Sequence, residues 1–353
     1  MSRVIRIATP GVALLLSAGF LTACSANEAQ EGSSEKTIAL LLPESKTTRY
    51  EQFDRPMFEA KVKELCDDCK VDYYNANQDE SKQNEQVDSA LSKGAKVLVL
   101  DPVNGKTATG AVESAQSAGA QVLAYDRFIS NADYYMSFDN EKVGEMQAQA
   151  IVDALKDKGN ILMTNGAPSD PNAGQFKQGA HNVFDKSGLT VLAEYDNPDW
   201  SPDKAQQWTS DQLGKFGVAK VDAVYAANDG QAGGVISALT GAGVKADALP
   251  PVVGQDAELA ALQRIVAGQQ LMTIYKSIKT EAEKAAEVAV ALVNGEDVGE
   301  TTDFEGVKSF IFDPIAVTAD NMADSVIADG FYSADDICAG EYAAACEKAG
   351  ISK

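Results

Sequence analysis

The sequence predicts an α/β protein of two domains, and three observations carry that reading. Short apolar runs alternate with helical periodicities at a spacing of about 25 to 30 residues, the length that one strand and one crossover helix occupy. The alternation runs as far as Gly159 and then starts again, so the chain reads as two halves of similar plan. Its 353 residues, 45% of them hydrophobic, suffice to bury a core in each half.

The first residues stand outside that fold. Arg3 and Arg6 form a positive start, followed by apolar runs from Val12 to Leu16 and from Ala18 to Leu21, and then by Leu21-Thr22-Ala23-Cys24. The last four residues resemble the lipobox of bacterial lipoproteins, in which the cysteine is lipidated and becomes the first residue of the processed chain. Residues 1–23 are therefore expected to be a signal peptide. A membrane span is the competing reading, but the apolar run is too short for one. Residues 24–36 are polar and small with no periodicity, as a tether between lipid and domain would be.

In the first half, Thr37 to Leu42 reads as a buried strand, followed by a polar loop and a helix with Phe58, Val62 and Leu65 on one face. Arg49, Tyr50 and Arg55 flank the carboxyl end of that strand. Val71 to Tyr74 is the next strand. Val87, Ala90 and Leu91 mark a helix stopped by Gly94, and Val97 to Leu100 runs into Asp101-Pro102. Val112 and Ala115 mark the following helix. Val122 to Tyr125 then ends in Asp126-Arg127, at the end of a strand where an open parallel sheet binds ligands. Taken alone, that pair also reads as a solvated ion pair of little consequence. Tyr135 to Phe138 is a further strand, and Asp139-Asn140 caps a helix that runs through Val143, Met146, Ala150, Ile151, Ala154 and Leu155 to Gly159.

In the second half, five strand signals in succession end in hydrogen-bonding tips. Asn160 to Thr164 leads to a loop containing Asn172, Thr190 to Tyr195 to Asp196 and Trp200, and Ala223 to Ala227 to Asn228-Asp229. Val252-Val253 leads to Gln255-Asp256, and Leu271 to Ile274 leads to Tyr275-Lys276. One such tip is an ordinary loop; the recurrence argues for a single lined cleft. Trp200 stands out, because a large aromatic in a polar loop belongs to a core or a binding site. A helix from Lys279 to Asn294 and a strand from Ser309 to Phe312, ended by Asp313-Pro314, complete the pattern.

Composition excludes some functions. Thirty basic against 52 acidic residues give a net charge of −22 with no basic block, which repels nucleic acid. Apart from Cys24, four cysteines remain: Cys66, Cys69, Cys338 and Cys346. Their even number fits two local disulfides in an oxidising compartment. Cys66-Asp67-Asp68-Cys69 also reads as a redox pair or half a zinc site, but the acidic residues between the thiols raise their pKa and no neighbouring histidine completes a metal shell. The one histidine, His181, reads as a surface residue. No nucleophile elbow, metal cluster or phosphate loop is present, so neither cofactor nor metal is expected. Asp126 and Asp256 could act as the paired carboxylates of a glycosidase. Arg127 and Lys276 between them would lower the pKa that the acid needs raised.

Sugars present hydroxyls that donate and accept, together with apolar C–H faces. A site for them uses Asp and Asn for paired hydroxyl contacts, Arg and Lys as charged donors, and aromatic faces for stacking. Asp126, Arg127, Asn172, Asn228, Asp256 and Lys276 supply the first kinds, and Tyr50 and Trp200 the last. The motifs Ala124-Tyr125-Asp126-Arg127, Ser137-Phe138-Asp139-Asn140-Glu141-Lys142-Val143-Gly144, Asn228-Asp229, Ala232-Gly233-Gly234, Gly254-Gln255-Asp256 and Tyr275-Lys276 resemble the xylose-binding branch of the type I periplasmic binding proteins. The resemblance spans about Thr37 to Val326 and implies two Rossmann-like lobes with parallel sheets flanked by helices, joined by three crossover hinge strands. One lobe would comprise 37–138 plus 278–310, the other 139–277 plus 311–353.

On this resemblance the chain would be a non-enzymatic monomer that closes on a monosaccharide. It would serve an ABC permease and its ATPase from outside the cytoplasmic membrane, anchored there by lipid on Cys24 or free in a periplasm. Ligand contacts would fall on Asp126 and Arg127 from one lobe, on Asn172, Trp200, Asn228 and Asp256 from the other, and on Lys276 at the second crossover. Arg49-Tyr50 stands where the family has arginine followed by tryptophan, so the choice among Arg49, Tyr50 and Arg55 stays open. A sugar sensor presenting its closed form to a membrane receptor is the alternative, an extracellular glycosidase a further one. A repressor of the same fold would need a helix-turn-helix that the sequence lacks.

Overall fold

A computed structural model describes residues 36–351. The expected signal peptide, Cys24 and all of the tether except Lys36 lie outside the described residues. The apolar runs become strands and the periodic segments become helices, in the order β1 (Lys36–Leu42), α1 (Arg55–Leu65), β2 (Cys69–Asn75), α2 (Glu80–Ser92), β3 (Val97–Leu100), α3 (Thr109–Ser117), β4 (Gln121–Tyr125), β5 (Tyr134–Phe138) and α4 (Asn140–Leu155). The second round is β6 (Gly159–Asn165), α5 (Pro171–Phe184), β7 (Leu189–Asp196), α6 (Pro202–Phe216), β8 (Ala223–Ala226), α7 (Asp229–Gly241), β9 (Val253–Gln255), α8 (Leu259–Val266) and β10 (Met272–Tyr275). The chain ends with α9 (Ile278–Asn294), β11 (Thr302–Phe304), β12 (Val307–Phe312), β13 (Ile315–Val317), α10 (Ala334–Ile337) and α11 (Ala343–Lys348).

Two sheets result. The first has the order β2-β1-β3-β4-β5-β12-β11, parallel except for the β11–β12 hairpin. The second joins β7-β6-β8 to β9-β10-β13 through a parallel bridge between Val224 and Val252, with β13 antiparallel to β10. Each sheet winds outward from its first strand in both directions, so each has a point beside β1 or β6 where the strand order reverses. Crevices at the carboxyl ends of such strands are where doubly wound sheets hold ligands.

Burial on both faces explains the continuous apolar runs. Ile38, Leu40, Val97, Val99 and Leu123 face Phe58 and Val62 of α1 and Ala282, Ala285 and Ala289 of α9. The alternate residues Ala39, Leu41, Leu98, Leu100 and Val122 face Val87 of α2 and Val112 of α3. In the second sheet Ile161 and Met163 face α4 and α5, while Leu162, Val224 and Ala226 face α6 and α7. Glycines let α4 and α5 approach closely: a Cβ on Gly144 would lie 1.9 Å from the Phe176 carbonyl oxygen, and one on Gly179 equally close to that of Glu141.

Local details add to the sequence reading. Ile311 and Phe312 pair with Ser137 and Phe138, so the chain leaves the first sheet at Asp313-Pro314, where the sequence reading ended this strand. The end of the first polar loop, Tyr50–Asp54, winds into a wide π-type turn that buries Tyr50 and Asp54. The segment after β13 packs Met322, Val326, Phe331 and Ile337 against α8 and Tyr275. Cys338 is bonded to Cys346 within that segment, and Cys66 to Cys69 at the end of α1. His181 lies near the surface of α5 beside Asp185 and Glu194. No helix among the described residues is long and apolar enough to cross a membrane.

Candidate functional site

The carboxyl ends of both sheets line a narrow cavity. The first sheet contributes Thr47, Arg49 and Tyr50 after β1, and Asp126 and Arg127 after β4. The second contributes Asp170, Asn172 and Phe176 on and before α5, Trp200 after β7, Asn228 after β8, Gln255 and Asp256 at β9, and Lys276 after β10. The structure thus brings Arg49, Tyr50, Asp126, Arg127, Asn172, Trp200, Asn228, Asp256 and Lys276 to one place. Arg55 lies elsewhere, as the first residue of α1, paired with Glu59 at 2.9 Å and set over the Tyr73 ring.

Local backbone geometry aims these side chains. Asp126, Trp200 and Asp256 have φ of 57°, 54° and 94°, the left-handed region that non-glycine residues adopt at a cost. Asp126 and Asp256 directly follow β4 and β9, and Trp200 closes the short turn before α6, so each sits where the chain leaves an element at the cavity. Asp170 and Asn228 are N-caps, accepting from the backbone N–H of Asn172 and of Gln231. Trp200 is buried despite its polar loop; its ring lies against Gly166, where a Cβ would sit 2.1 Å from it, and meets Phe176 edge-on at 6.3 Å.

A network of charges orders the polar wall. Arg49 binds Asp54 through Nε (2.9 Å) and Nη2 (2.7 Å), Glu281 through Nη2 (2.7 Å) and Asp126 through Nη1 (3.2 Å). Lys276 Nζ lies 3.8 Å from Asp126, 3.7 Å from Asp256 and 5.5 Å from the centre of the Phe176 ring. Arg127 crosses between the sheets: Nε is 2.9 Å from Asp170 and 3.4 Å from Asp101, Nη1 donates to the Pro102 carbonyl and Nη2 to the Tyr50 hydroxyl. Asn172 crosses too, donating to the Asp126 carbonyl at 3.0 Å, and Trp200 Nε1 donates to Asp170 at 3.1 Å. The two sheets are therefore latched across the cavity by an ion pair and an amide-to-carbonyl hydrogen bond.

Burial and charge pull the carboxyls in different directions. Burial opposes ionisation of Asp126, but Arg49, Lys276 and Arg127 outweigh it and hold this carboxyl below its ordinary value. Burial dominates at Asp101, Asp170 and Asp256 and raises all three, against Arg127 at the first two and Lys276 at the third. Glu281 is pushed up to about 8 by burial, against the pull of Arg49. Asp126 thus remains an anionic acceptor, while the Asn172 Oδ1 and Gln255 Oε1 atoms, both buried, have no hydrogen-bond partner among the described residues. A wall with anionic and amide acceptors, fixed cationic donors and two aromatic rings suits a small, neutral, many-hydroxyl solute.

Sequence reasoning missed Thr47, Asp170, Phe176 and Gln255 on this wall. Asp170 and Gln255 belonged to the polar tips and could have been taken from them. Phe176 gives no signal, being one apolar residue on the buried face of α5. Asp229, in the same tip as Asn228, turns away and is buried, accepting from Gln270 and Thr273 at 2.8 Å each.

Residues 38–297 match the profile of the periplasmic binding protein domain. The D-xylose-binding periplasmic protein of Haemophilus influenzae is 39% identical over 335 residues, 92% of this chain and 98% of that protein. The protein of the same name from Escherichia coli is 38% identical over 315 residues, 86% of this chain and 93% of its own. Among solved structures, an ABC transporter solute-binding protein from Clostridium phytofermentans with bound β-D-glucose superposes with a TM-score of 0.77 at 29% identity, covering 86% of this chain and all of that one. With two doubly wound sheets, a cavity at their carboxyl ends and relatives that are binding proteins of transport and not enzymes, the chain belongs to the periplasmic binding protein family, type I.

Proposed function

We propose that this chain is the solute-binding component of an ABC sugar importer and takes a monosaccharide, a xylose-like pentose or a related hexose, into the cavity between its sheets. The observation that supports this most strongly is the wall itself: Asp126 and Asp256 as acceptors, Arg127 and Lys276 as donors, and Trp200 and Phe176 as apolar faces, gathered around one narrow cavity. The two curated relatives named for D-xylose and the glucose-bound solved structure point to the same ligand class.

The mechanism follows from the two-sheet origin of the wall. The lobe of 37–138 plus 278–310 brings Arg49, Tyr50, Asp126 and Arg127, and the remainder brings the other contacts. A sugar touching both lobes stabilises the closed state over the open one, and the permease reads that state. The protein works outside the cytoplasmic membrane, and lipid on Cys24 holds it to the membrane face. Metabolic labelling with a fatty acid tests the anchor: Cys24→Ala should abolish the label and release the protein. A thermal-shift screen of common monosaccharides tests the ligand class. Pentoses and hexoses should raise the melting temperature; a screen in which no sugar does so would sink the reading.

A further inference from the structure

The segment after β13 does more than cover α8. Phe331, Ile337, Cys338, Cys346 and Ile351 are buried with Leu262, Ile265 and Tyr275, and the Cys338–Cys346 bond closes the segment on itself. Two of its contacts reach the cavity's supports. Phe53, in the turn that carries Arg49 and Tyr50 into the cleft, packs on Phe331 with the rings tilted by 35° at 4.2 Å between centres and meets Tyr332 edge-on at 5.4 Å. Asp329 accepts from the Tyr275 hydroxyl and, at 2.8 Å, from Ser277 Oγ. These two residues flank Lys276, the cation that faces Asp126 and Asp256.

We infer that the segment from Asp329 to Ile351 is a brace for the cleft. It holds the Tyr50–Asp54 turn of one lobe against the second crossover of the other, and thereby positions Arg49, Tyr50 and Lys276 and favours the closed arrangement. The turn packs with α1 and α9 on the first sheet, whereas the brace is rooted on α8 and β13 of the second. An aromatic contact between bodies that move against each other favours whichever arrangement contains it. Affinity then scales with the population of the binding-competent arrangement. Phe53 and Phe331 are thus positioning residues that never touch the ligand. The affinity readout rests on the sugar-binding reading above; the brace itself does not.

The test uses the full chain with Phe331→Ala, Phe331→Leu and Phe53→Ala, and Lys348→Ala as an exposed control in the same segment. Calorimetry with the best sugar of the screen should show binding weakened by about 3- to 10-fold in Phe331→Ala and Phe53→Ala, non-additively when combined, with the control unchanged. Hydrogen exchange should be faster in the amides of 49–54 and unchanged in β3 and β4. Phe331→Leu keeps apolar volume and removes the ring contact, so it serves if the alanine variant fails to fold. A lowered melting temperature with wild-type affinity and unchanged exchange at 49–54 overturns the brace. If no sugar binds the wild type, the sugar reading falls and exchange decides alone: faster exchange at 49–54 supports the brace, unchanged exchange overturns it.

Discussion

Asp126 is an anion held by three cations in a place where water is excluded, and its removal should be felt twice. The ligand loses an acceptor, and Arg49 and Lys276 lose a buried counter-charge. Hydrogen bonds to charged groups contribute ~1.5 to 3 kcal/mol each, so Asp126→Ala should weaken sugar binding roughly 10- to 150-fold in calorimetry. Wild-type affinity in a folded variant would place the site elsewhere. Trp200→Ala should weaken binding too, because it removes an apolar face and leaves Asp170 without its indole donor. Asp133 is the contrast. It lies in the same loop but accepts from the Val122 N–H at 2.7 Å, which ties down the start of β4. Asp133→Ala should therefore lower the melting temperature and leave the affinity of the folded protein unchanged.

At the scale of elements, two joints carry the cavity. The α4–α5 contact depends on the backbone approach at Gly144 and Gly179, and α5 bears Asn172 and Phe176. Gly179→Ala should cost ~1 to 3 kcal/mol through overpacking, read as a lower denaturation midpoint, and should weaken binding by displacing α5. The other joint is the first turn of α9, where Glu281 accepts from Arg49 in full burial. Its carboxyl titrates at about 8 when folded, raised by burial, and near 4.3 when unfolded. Between those values the folded state holds a proton that the unfolded chain has released, so this group's contribution to stability falls as pH rises through that window and is constant above it. Asp126 has the opposite sign: its lowered pKa adds stability above its ordinary value, which is lost as pH falls. Glu281→Gln should therefore show a shallower decline of melting temperature between pH 5 and 8 (roughly the window above) than the wild type. Equal slopes would contradict a protonated Glu281.

For the whole molecule, the latch between Arg127 and Asp170 and the hydrogen bond from Asn172 to the Asp126 carbonyl join the two sheets, and on the hinge-closure reading proposed above they belong to the closed state. Sugar should then compact the protein, seen as a smaller radius of gyration in solution scattering. At 100 times its dissociation constant it should stabilise the fold by about 2.7 kcal/mol. Scattering curves that superpose with and without a ligand that binds would rule out hinge closure. The net charge of −22 keeps molecules apart.

The alternation of apolar runs and helical faces determined by itself that this is a doubly wound α/β protein, because a parallel strand buried on both faces can only be written as an unbroken apolar run. Asp126, Asn228, Asp256 and Lys276 were legible for a related reason: polar residues at the carboxyl ends of such strands converge. Tertiary structure alone decided the rest. Phe176 and Trp200 meet because two glycines bring α4 against α5 and a third admits the indole, and no local pattern records a distance across helices. Arg49 was separated from Arg55 by a π-type turn whose winding depends on burying Tyr50 and Asp54 against α9, more than 200 residues away in sequence. The protonation of Glu281 and the contact of Phe53 with Phe331 arise only from what the fold brings close, since burial and charge act through space and not along the chain.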